Sequence, residues 1–118
     1  MAGDPPAVVV GGTGMLGGQV VTALLSRGKR VRALVRPRSD SAGLERAGVE
    51  IARGDMMDPE SLLRAMDGAD AVVTTAAGYT RHSKGDTPEI DTTGNRNLAD
   101  AASQAGVRRF VLTSILTC

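Results

Sequence analysis

Residues 7–18 constrain the fold of this chain more than any other stretch. Ala7–Val10 is an apolar run typical of a short buried strand, and the apolar residues within Gln19–Arg27 recur at helical spacing. The residues between these two runs are rich in glycine, and three of the glycines have the spacing GxxGxxG: Gly11, Gly14 and Gly17. The pattern predicts a strand, a sharp turn at a residue without a Cβ atom, and a helix that packs closely on the strand.

A glycine-rich turn of this kind is suited to binding phosphate. Because the loop is bare, backbone N–H groups can approach a pyrophosphate, and the start of the helix adds unpaired N–H groups and a partial positive charge. The spacing is a variant of the GxGxxG dinucleotide fingerprint, with its first gap widened by one residue. The strand before the turn and the helix after it favour a dinucleotide site. The alternative is a tight turn with no ligand.

Strand and helix patterns alternate along the whole chain. Predicted strands cover Ala7–Val10, Lys29–Val35, Val49–Ala52, Ala71–Thr75 and Val107–Thr113. Predicted helices cover Gly14–Arg27, Ser41–Ala47, Pro59 to Met66 or Asp67, and Pro88–Ala105, with Asp58 as the expected N-cap of the third. The alternation predicts an α/β fold, a doubly wound parallel sheet of the Rossmann type, with the strand order 3-2-1-4-5. The first and fourth strands are nearly all apolar, so we expect both of their faces to be buried.

Composition and charge argue against several classes of function. The 118 residues suit one domain, residues 1–118, and the net charge of +1 with 2% aromatic residues gives no footprint for nucleic acid or an anionic membrane. The single cysteine, Cys118, excludes an intrachain disulfide and a cysteine-rich metal site. Residues 1–6 lack the features of a signal peptide. We therefore expect a cytoplasmic protein. Because the chain stops just after the fifth predicted strand, whereas a dinucleotide fold normally continues with a further helix and strand, we also expect a truncated domain.

Arg36 bears on the choice between two dinucleotides. An acidic residue about 20 residues past the glycines binds the adenosine ribose in NAD-specific sites. Here no Asp or Glu occurs at the end of the second strand before Asp40, and Arg36 lies 19 residues after Gly17. An arginine at this place can pair with a 2′-phosphate through its planar fork, which predicts NADP rather than NAD. Alternatively, Arg36 and Arg38 are solvated loop arginines.

Three further loops follow predicted strands and carry candidate site residues. After the third strand, the Asp55 carboxylate could accept a hydrogen bond from the adenine amine and the Met56 N–H could donate one to a ring nitrogen. Alternatively, Asp55 only caps the turn toward Pro59. After the fourth strand, Ala76–Gly78 leave room for the riboses of a cofactor, unless they form a plain turn.

The last of these loops contains Ser114, at the end of the fifth strand. Its hydroxyl could polarise a substrate carbonyl, although a terminal loop serine is an equal alternative. His82 is the only histidine and lies in a polar loop without partners for a metal site or a catalytic triad, so we interpret it as solvated.

Five segments together resemble one family. Residues 11–17 (GGTGMLG) resemble the GGTGxxG signature of the atypical and extended short-chain dehydrogenases/reductases. Residues 31–36 (VRALVR) and the Gly54-Asp55 pair followed by DPESL resemble the NmrA-like, NAD(P)H-binding branch. Residues 91–102 are similar to the fourth helix of that branch, and residues 107–114 to the strand that ends at its active-site Ser/Thr position. The resemblance spans nearly the whole chain.

The resemblance implies a cofactor site and a class of reaction. The positions that match the cofactor site of the family are Gly11, Thr13, Gly14, Met15, Leu16, Arg36, Asp55 and Met56, with Ala76, Ala77 and Gly78 along the cofactor. The implied function is NADP binding for hydride transfer between NADPH and a carbonyl or conjugated double bond of a small molecule. A non-catalytic redox sensor of the NmrA type is the alternative, and a relative of the sugar-nucleotide epimerases is a third.

Two departures limit what the resemblance implies about catalysis. We expect the substrate-binding C-terminal part of the family to be absent from this chain, and a catalytic motif is missing as well. The Tyr-x-x-x-Lys motif of active family members lies beyond the fifth strand and does not occur in this chain, where Tyr79 is followed at the fourth position by Ser83. Only Ser114 matches a catalytic position. The fifth strand would lie at the edge of the sheet, where we expect it to favour self-association.

Overall fold

The computed structural model describes residues 5–11, 15–74 and 88–112. Five strands and four helices alternate: β1 (Ala7–Val10), α1 (Met15–Ser26), β2 (Val31–Val35), α2 (Ala42–Arg46), β3 (Glu50–Arg53), α3 (Pro59–Met66), β4 (Ala71–Thr74), α4 (Pro88–Gln104) and β5 (Arg109–Leu112). Every predicted element is present, and most ends differ by only one or two residues. β5 begins two residues later than predicted, at Arg109, and the N–H groups of both Arg108 and Arg109 donate to the Asp70 carbonyl just before β4.

All neighbouring strands in the sheet are parallel, and their order is β3-β2-β1-β4-β5. This confirms the predicted doubly wound topology. In the centre of the sheet, Val9 lies beside Ala33 on one side and Val73 on the other. Since parallel strands are joined by right-handed crossovers, the helices divide between the two faces.

A separate apolar core lies on each face of the sheet. On one face, α3 and α4 contribute Leu62, Met66 and Leu98, which are fully buried against Val8 and Val72. On the other face, α1 and α2 cover a second cluster, which consists of Val9, Val21, Val31, Ala33, Val35 and Val49. Leu24 and Leu44 are partly buried against this second cluster. The sheet is thereby held rigid between two helical layers.

The burial prediction is confirmed for β1 and wrong for β4. Every residue of β1 is buried, whereas Ala71 and Val73 of β4 are only half-buried. These two side chains face the α1 side of the sheet, where α1 packs on β1 and β2 and α2 packs on β3. Within the described part of the chain, that side of β4 is therefore only partly covered.

The start of α3 differs in one respect from the prediction. Pro59 and Glu60 occupy the first turn as expected, and Asp58 lies at the N-cap position, but its side chain makes no capping hydrogen bond. Instead, the buried Ser61 hydroxyl donates to the Asp58 carbonyl (2.7 Å). This hydroxyl thus binds the carbonyl of the N-cap residue and does not cap an N–H group of the helix.

Among the described residues, no helix is both long enough and apolar enough to cross a membrane.

Candidate functional site

The candidate site lies at the edge of the sheet where the strands end. Because all five strands are parallel, their carboxyl ends meet at one edge, which is where ligands bind in open α/β sheets. Gly11, Arg36 and Gly54 directly follow β1, β2 and β3 at this edge. The fold therefore brings together three loops that are far apart in sequence.

The first loop turns sharply at Gly11 and leads into α1. Gly11 has a φ of 88°, a conformation that side chains with a Cβ rarely adopt, so the predicted need for glycine is confirmed there. Met15 and Leu16 form the start of α1, Gly17 is buried in its first turns, and no acidic residue lies in the first turn. The helix start thus carries no carboxylate that would repel an anion. Thr13 and Gly14 lie outside the described residues.

The second loop follows β2 and is rich in cations. Arg36 and Arg38 are both exposed, and a turn between them is closed by a hydrogen bond from the Ser39 N–H to the Arg36 carbonyl (3.0 Å). Asp40, the first carboxylate of this loop, accepts a hydrogen bond from the Ala42 N–H (2.9 Å) at the start of α2. The loop therefore exposes positive charge, and its carboxylate, Asp40, accepts a hydrogen bond from the backbone.

The third loop is built around Asp55. Its Oδ1 accepts a hydrogen bond from the Met57 N–H (2.8 Å), and its carbonyl accepts one from the Asp58 N–H (2.9 Å). The turn-capping role that the sequence left open is thus present. Ser61 Oγ accepts a hydrogen bond from the Asp55 N–H (3.0 Å), which ties the loop to α3.

Met56 is held from the opposite side by α4. Asn97 Nδ2 donates to the Met56 carbonyl (2.8 Å), and a Cβ at Gly94 would lie 2.7 Å from Met56 Cε. α4 approaches Met56 this closely because Gly94 has no side chain. The Met56 N–H donates to none of the described residues.

Several residues that build these loops were not predicted from sequence as site residues. They are Arg53, Ser61, Gly94 and Asn97. Gly94 carries a weak signal, because a glycine inside a helical pattern usually has a packing reason. Arg53 and Asn97 carry no local signal, since their partners lie in other elements, whereas Ser61 binds the loop directly before its own helix.

The only resolved pKa shift among the described residues belongs to a group away from this edge. Arg30 Nε donates to a Glu50 carboxylate oxygen (3.2 Å), and this hydrogen bond, aided by the charges of Arg30 and Arg32, lowers the pKa of Glu50. Glu50 is the first residue of β3 and so lies at the amino end of the sheet. Its role is structural.

The remaining predicted site residues lie outside the described residues. These are Ala76, Ala77, Gly78 and Ser114, together with His82. The side chains of Met15 and Leu16 are not described either. The described part of the site therefore consists of the Gly11 turn, the start of α1, Arg36, Asp55 and Met56.

Comparisons with known proteins match the chain to a dinucleotide-binding family. A family model described as NAD(P)H-binding matches residues 11–118. Sterol demethylase protein B of Methylococcus capsulatus is 43% identical over 110 residues, which cover 91% of this chain and 33% of that protein. The chain spans about a third of the length of the curated relatives that it matches.

Solved structures with the same fold hold either of the two dinucleotides. A short-chain dehydrogenase/reductase superfamily protein from Agrobacterium tumefaciens with bound NAD has a TM-score of 0.72 and 35% identity, and the match covers 92% of this chain and 32% of that one. The NADPH-dependent quinone oxidoreductase QOR2 from Escherichia coli, complexed with NADPH, has a TM-score of 0.77 and 25% identity, with coverage of 93% and 37%. Similarity to solved structures alone therefore does not distinguish an NAD-binding protein from an NADP-binding one.

Proposed function

Because the chain belongs to the NAD(P)H-binding family, among the atypical short-chain dehydrogenase/reductase and NmrA-like proteins, we propose that it binds NADP in preference to NAD. The observation that carries the proposal is the charge of the loop after β2. Arg36 directly follows the strand, Arg38 is exposed beside it, and the carboxylate of Asp40 accepts a backbone hydrogen bond. This loop suits the 2′-phosphate of NADP, and its exposed arginines favour that anion over a neutral ribose hydroxyl.

The other loops suit the rest of the cofactor. The pyrophosphate would lie at the start of α1, beside Gly11, Thr13 and Gly14, where unpaired N–H groups and the helix dipole favour an anion. The adenine would lie against the third loop. There the carboxylate of Asp55 could accept from the exocyclic amine, and the Met56 N–H, which donates to none of the described residues, could donate to a ring nitrogen.

The reaction of the whole protein is part of the same proposal. Bound NADPH supplies a hydride for a carbonyl or a conjugated double bond, and the protein orients the two reactants. Ala76, Ala77 and Gly78 would line the cofactor, and Ser114 would polarise the substrate carbonyl. The name of the Escherichia coli neighbour, an NADPH-dependent quinone oxidoreductase, supports this class of reaction. We further propose that the protein acts in the cytoplasm, which its single cysteine favours.

The alternative function is a redox sensor that binds NADP without catalysis. The Tyr-x-x-x-Lys motif of active family members lies beyond the fifth strand, and this motif distinguishes the two functions. A tyrosine–lysine pair elsewhere in the whole protein would favour the reductase.

Calorimetric titration with NADPH and, separately, NADH tests the cofactor choice. We expect NADPH to bind at least about tenfold more tightly, because charge-assisted hydrogen bonds contribute about 1.5–3 kcal/mol. Arg36→Ala should remove that preference and leave the NADH affinity unchanged. Arg46→Ala, which removes an exposed arginine from α2, is the matched control and should retain the preference. Equal binding of the two cofactors by the wild-type chain would contradict the proposal.

A further inference from the structure

Arg53, the last residue of β3, holds the loop that carries Arg36. Its Nη1 donates to the Arg36 carbonyl (3.0 Å) and to the Ser39 carbonyl (2.7 Å), and its Nη2 donates to Ser41 Oγ (2.7 Å). A single guanidinium therefore binds both ends of the turn over residues 36–39.

The register of the sheet places Arg53 where it can do this. Arg53 pairs with Val35, the residue just before Arg36, and the Gly54 N–H donates to the Val35 carbonyl (3.0 Å). The Arg53 side chain thus starts from the strand beside β2 and crosses to the loop that follows β2. The backbone of both strands is fixed at this point, so the guanidinium is presented to the loop from a rigid base.

The Ser41 hydroxyl to which Arg53 donates is itself held in place. Ser41 is 3% exposed, and its hydroxyl accepts from Arg53 while donating to Glu45 Oε2 (2.7 Å) in α2. The chain of hydrogen bonds from Arg53 through Ser41 to Glu45 joins β3, the loop and α2. Loops are usually the most mobile part of a site, and these contacts restrict the backbone on which Arg36 is mounted.

We propose that Arg53 is a positioning residue for NADP selectivity: it fixes the backbone of residues 36–39 so that the Arg36 guanidinium meets the 2′-phosphate. The inference rests on the proposed function and goes beyond it, since it assigns selectivity to a residue that acts through another. A flexible loop would lose conformational entropy on binding the phosphate, and a loop already held by Arg53 loses less.

A direct contact between Arg53 and the phosphate is the competing explanation, and a double-mutant cycle separates the two. If Arg53 acts through Arg36, removing Arg53 has no further effect once Arg36 is gone. If Arg53 itself binds the phosphate, the two losses add.

The experiment measures NADPH and NADH affinities by calorimetry for the wild-type chain, Arg36→Ala, Arg53→Ala and the double variant. We expect Arg53→Ala to weaken NADPH binding about fivefold to tenfold, as for the loss of about one net hydrogen bond, and to leave NADH binding unchanged. In the Arg36→Ala background the further loss should be below about twofold. Arg46→Ala again controls for the loss of one positive charge near the loop and should behave as wild type.

The result is decisive in each direction. Retained NADPH preference in Arg53→Ala, equal weakening of both cofactors, or additive losses in the double variant would each overturn the inference. If the wild-type chain itself shows no preference, the proposed function fails; if the preference is lost in Arg36→Ala but kept in Arg53→Ala, only the present inference fails. Should Arg53→Ala not fold, Arg53→Lys replaces it, because lysine keeps the charge but lacks the planar fork. We expect an intermediate NADPH preference for Arg53→Lys, and an unchanged preference would overturn the inference.

Discussion

At the scale of single residues, Gly54 leaves no room for a side chain in the candidate site. A Cβ there would lie 2.8 Å from Leu34 Cδ1 and 2.9 Å from Ser61 Oγ. Leu34 can shift, but Ser61 cannot rotate without losing its hydrogen bonds to the Asp55 N–H and the Asp58 carbonyl. We expect Gly54→Ala to lower the free energy of unfolding by about 1–3 kcal/mol, measured by urea denaturation.

Gly43 in α2 is the matched control, because nothing lies within 4 Å of a Cβ at that position. Alanine favours a helix over glycine by up to about 1 kcal/mol, so Gly43→Ala should be neutral or stabilising. If Gly54→Ala and Gly43→Ala had equal free energies of unfolding, the Ser61 side chain would be able to move away from a Cβ at residue 54 despite its hydrogen bonds, and the prediction would be wrong.

At the scale of elements, ion pairs join the amino ends of β2 and β3. Glu50 lies opposite Arg32 in the register and also binds Arg30, and the lowered pKa of Glu50 reflects these contacts. A carboxyl whose pKa is lowered by folding stabilises the folded state above its unfolded pKa of about 4.3, and this contribution disappears as the pH falls through the lower, folded pKa.

Glu50→Gln should therefore reduce the free energy of unfolding at about pH 7, and the difference from wild type should shrink toward about pH 3. The Glu50 side chain is 43% exposed, so we expect no more than about 1 kcal/mol. Urea denaturation at both values of pH measures it. Asp100→Asn, which neutralises an exposed carboxylate of α4, is the control. If the loss of unfolding free energy in Glu50→Gln grew as the pH fell, the prediction would be contradicted.

At the scale of the whole molecule, the two edges of the described sheet differ. β3 begins with Glu50 and ends with Arg53, and charged residues discourage edge-to-edge pairing. β5, at the other edge, exposes Phe110 (36%) and Val111 (44%). Val111 lies beside Val73 of β4, on the side of the sheet that the described helices cover only partly. The β5 edge therefore exposes more apolar surface than the β3 edge and is the more favourable edge for self-association.

We expect the 118-residue chain to self-associate through the β5 edge, and analytical ultracentrifugation over a range of concentrations measures this. Val111→Lys should shift the distribution toward monomer, because a buried lysine would oppose the contact. Met57→Lys removes an equally exposed apolar side chain (47%) far from β5 in the sheet order and should leave the distribution unchanged. A wild-type chain that stays monomeric at the highest concentration would contradict the prediction.

The sequence by itself determined the order and type of the elements, the sheet topology and the positions of the loops. Local features were enough for this: the apolar runs of the strands, the glycine turn at Gly11, the proline at the start of α3, and the handedness of the crossovers. Since parallel strands end at one edge, the placement of Arg36 and Asp55 followed from chain order alone.

Only the tertiary structure decided what holds those loops. Arg53 reaches the Arg36 carbonyl and Asn97 reaches the Met56 carbonyl, across 17 and 41 residues of sequence. The half-exposure of two β4 residues and the lack of a capping hydrogen bond from the Asp58 side chain were likewise unpredicted. Propensity and periodicity report on neighbours within a turn or a strand, whereas these contacts depend on how separate elements pack and on which side chain reaches which backbone atom.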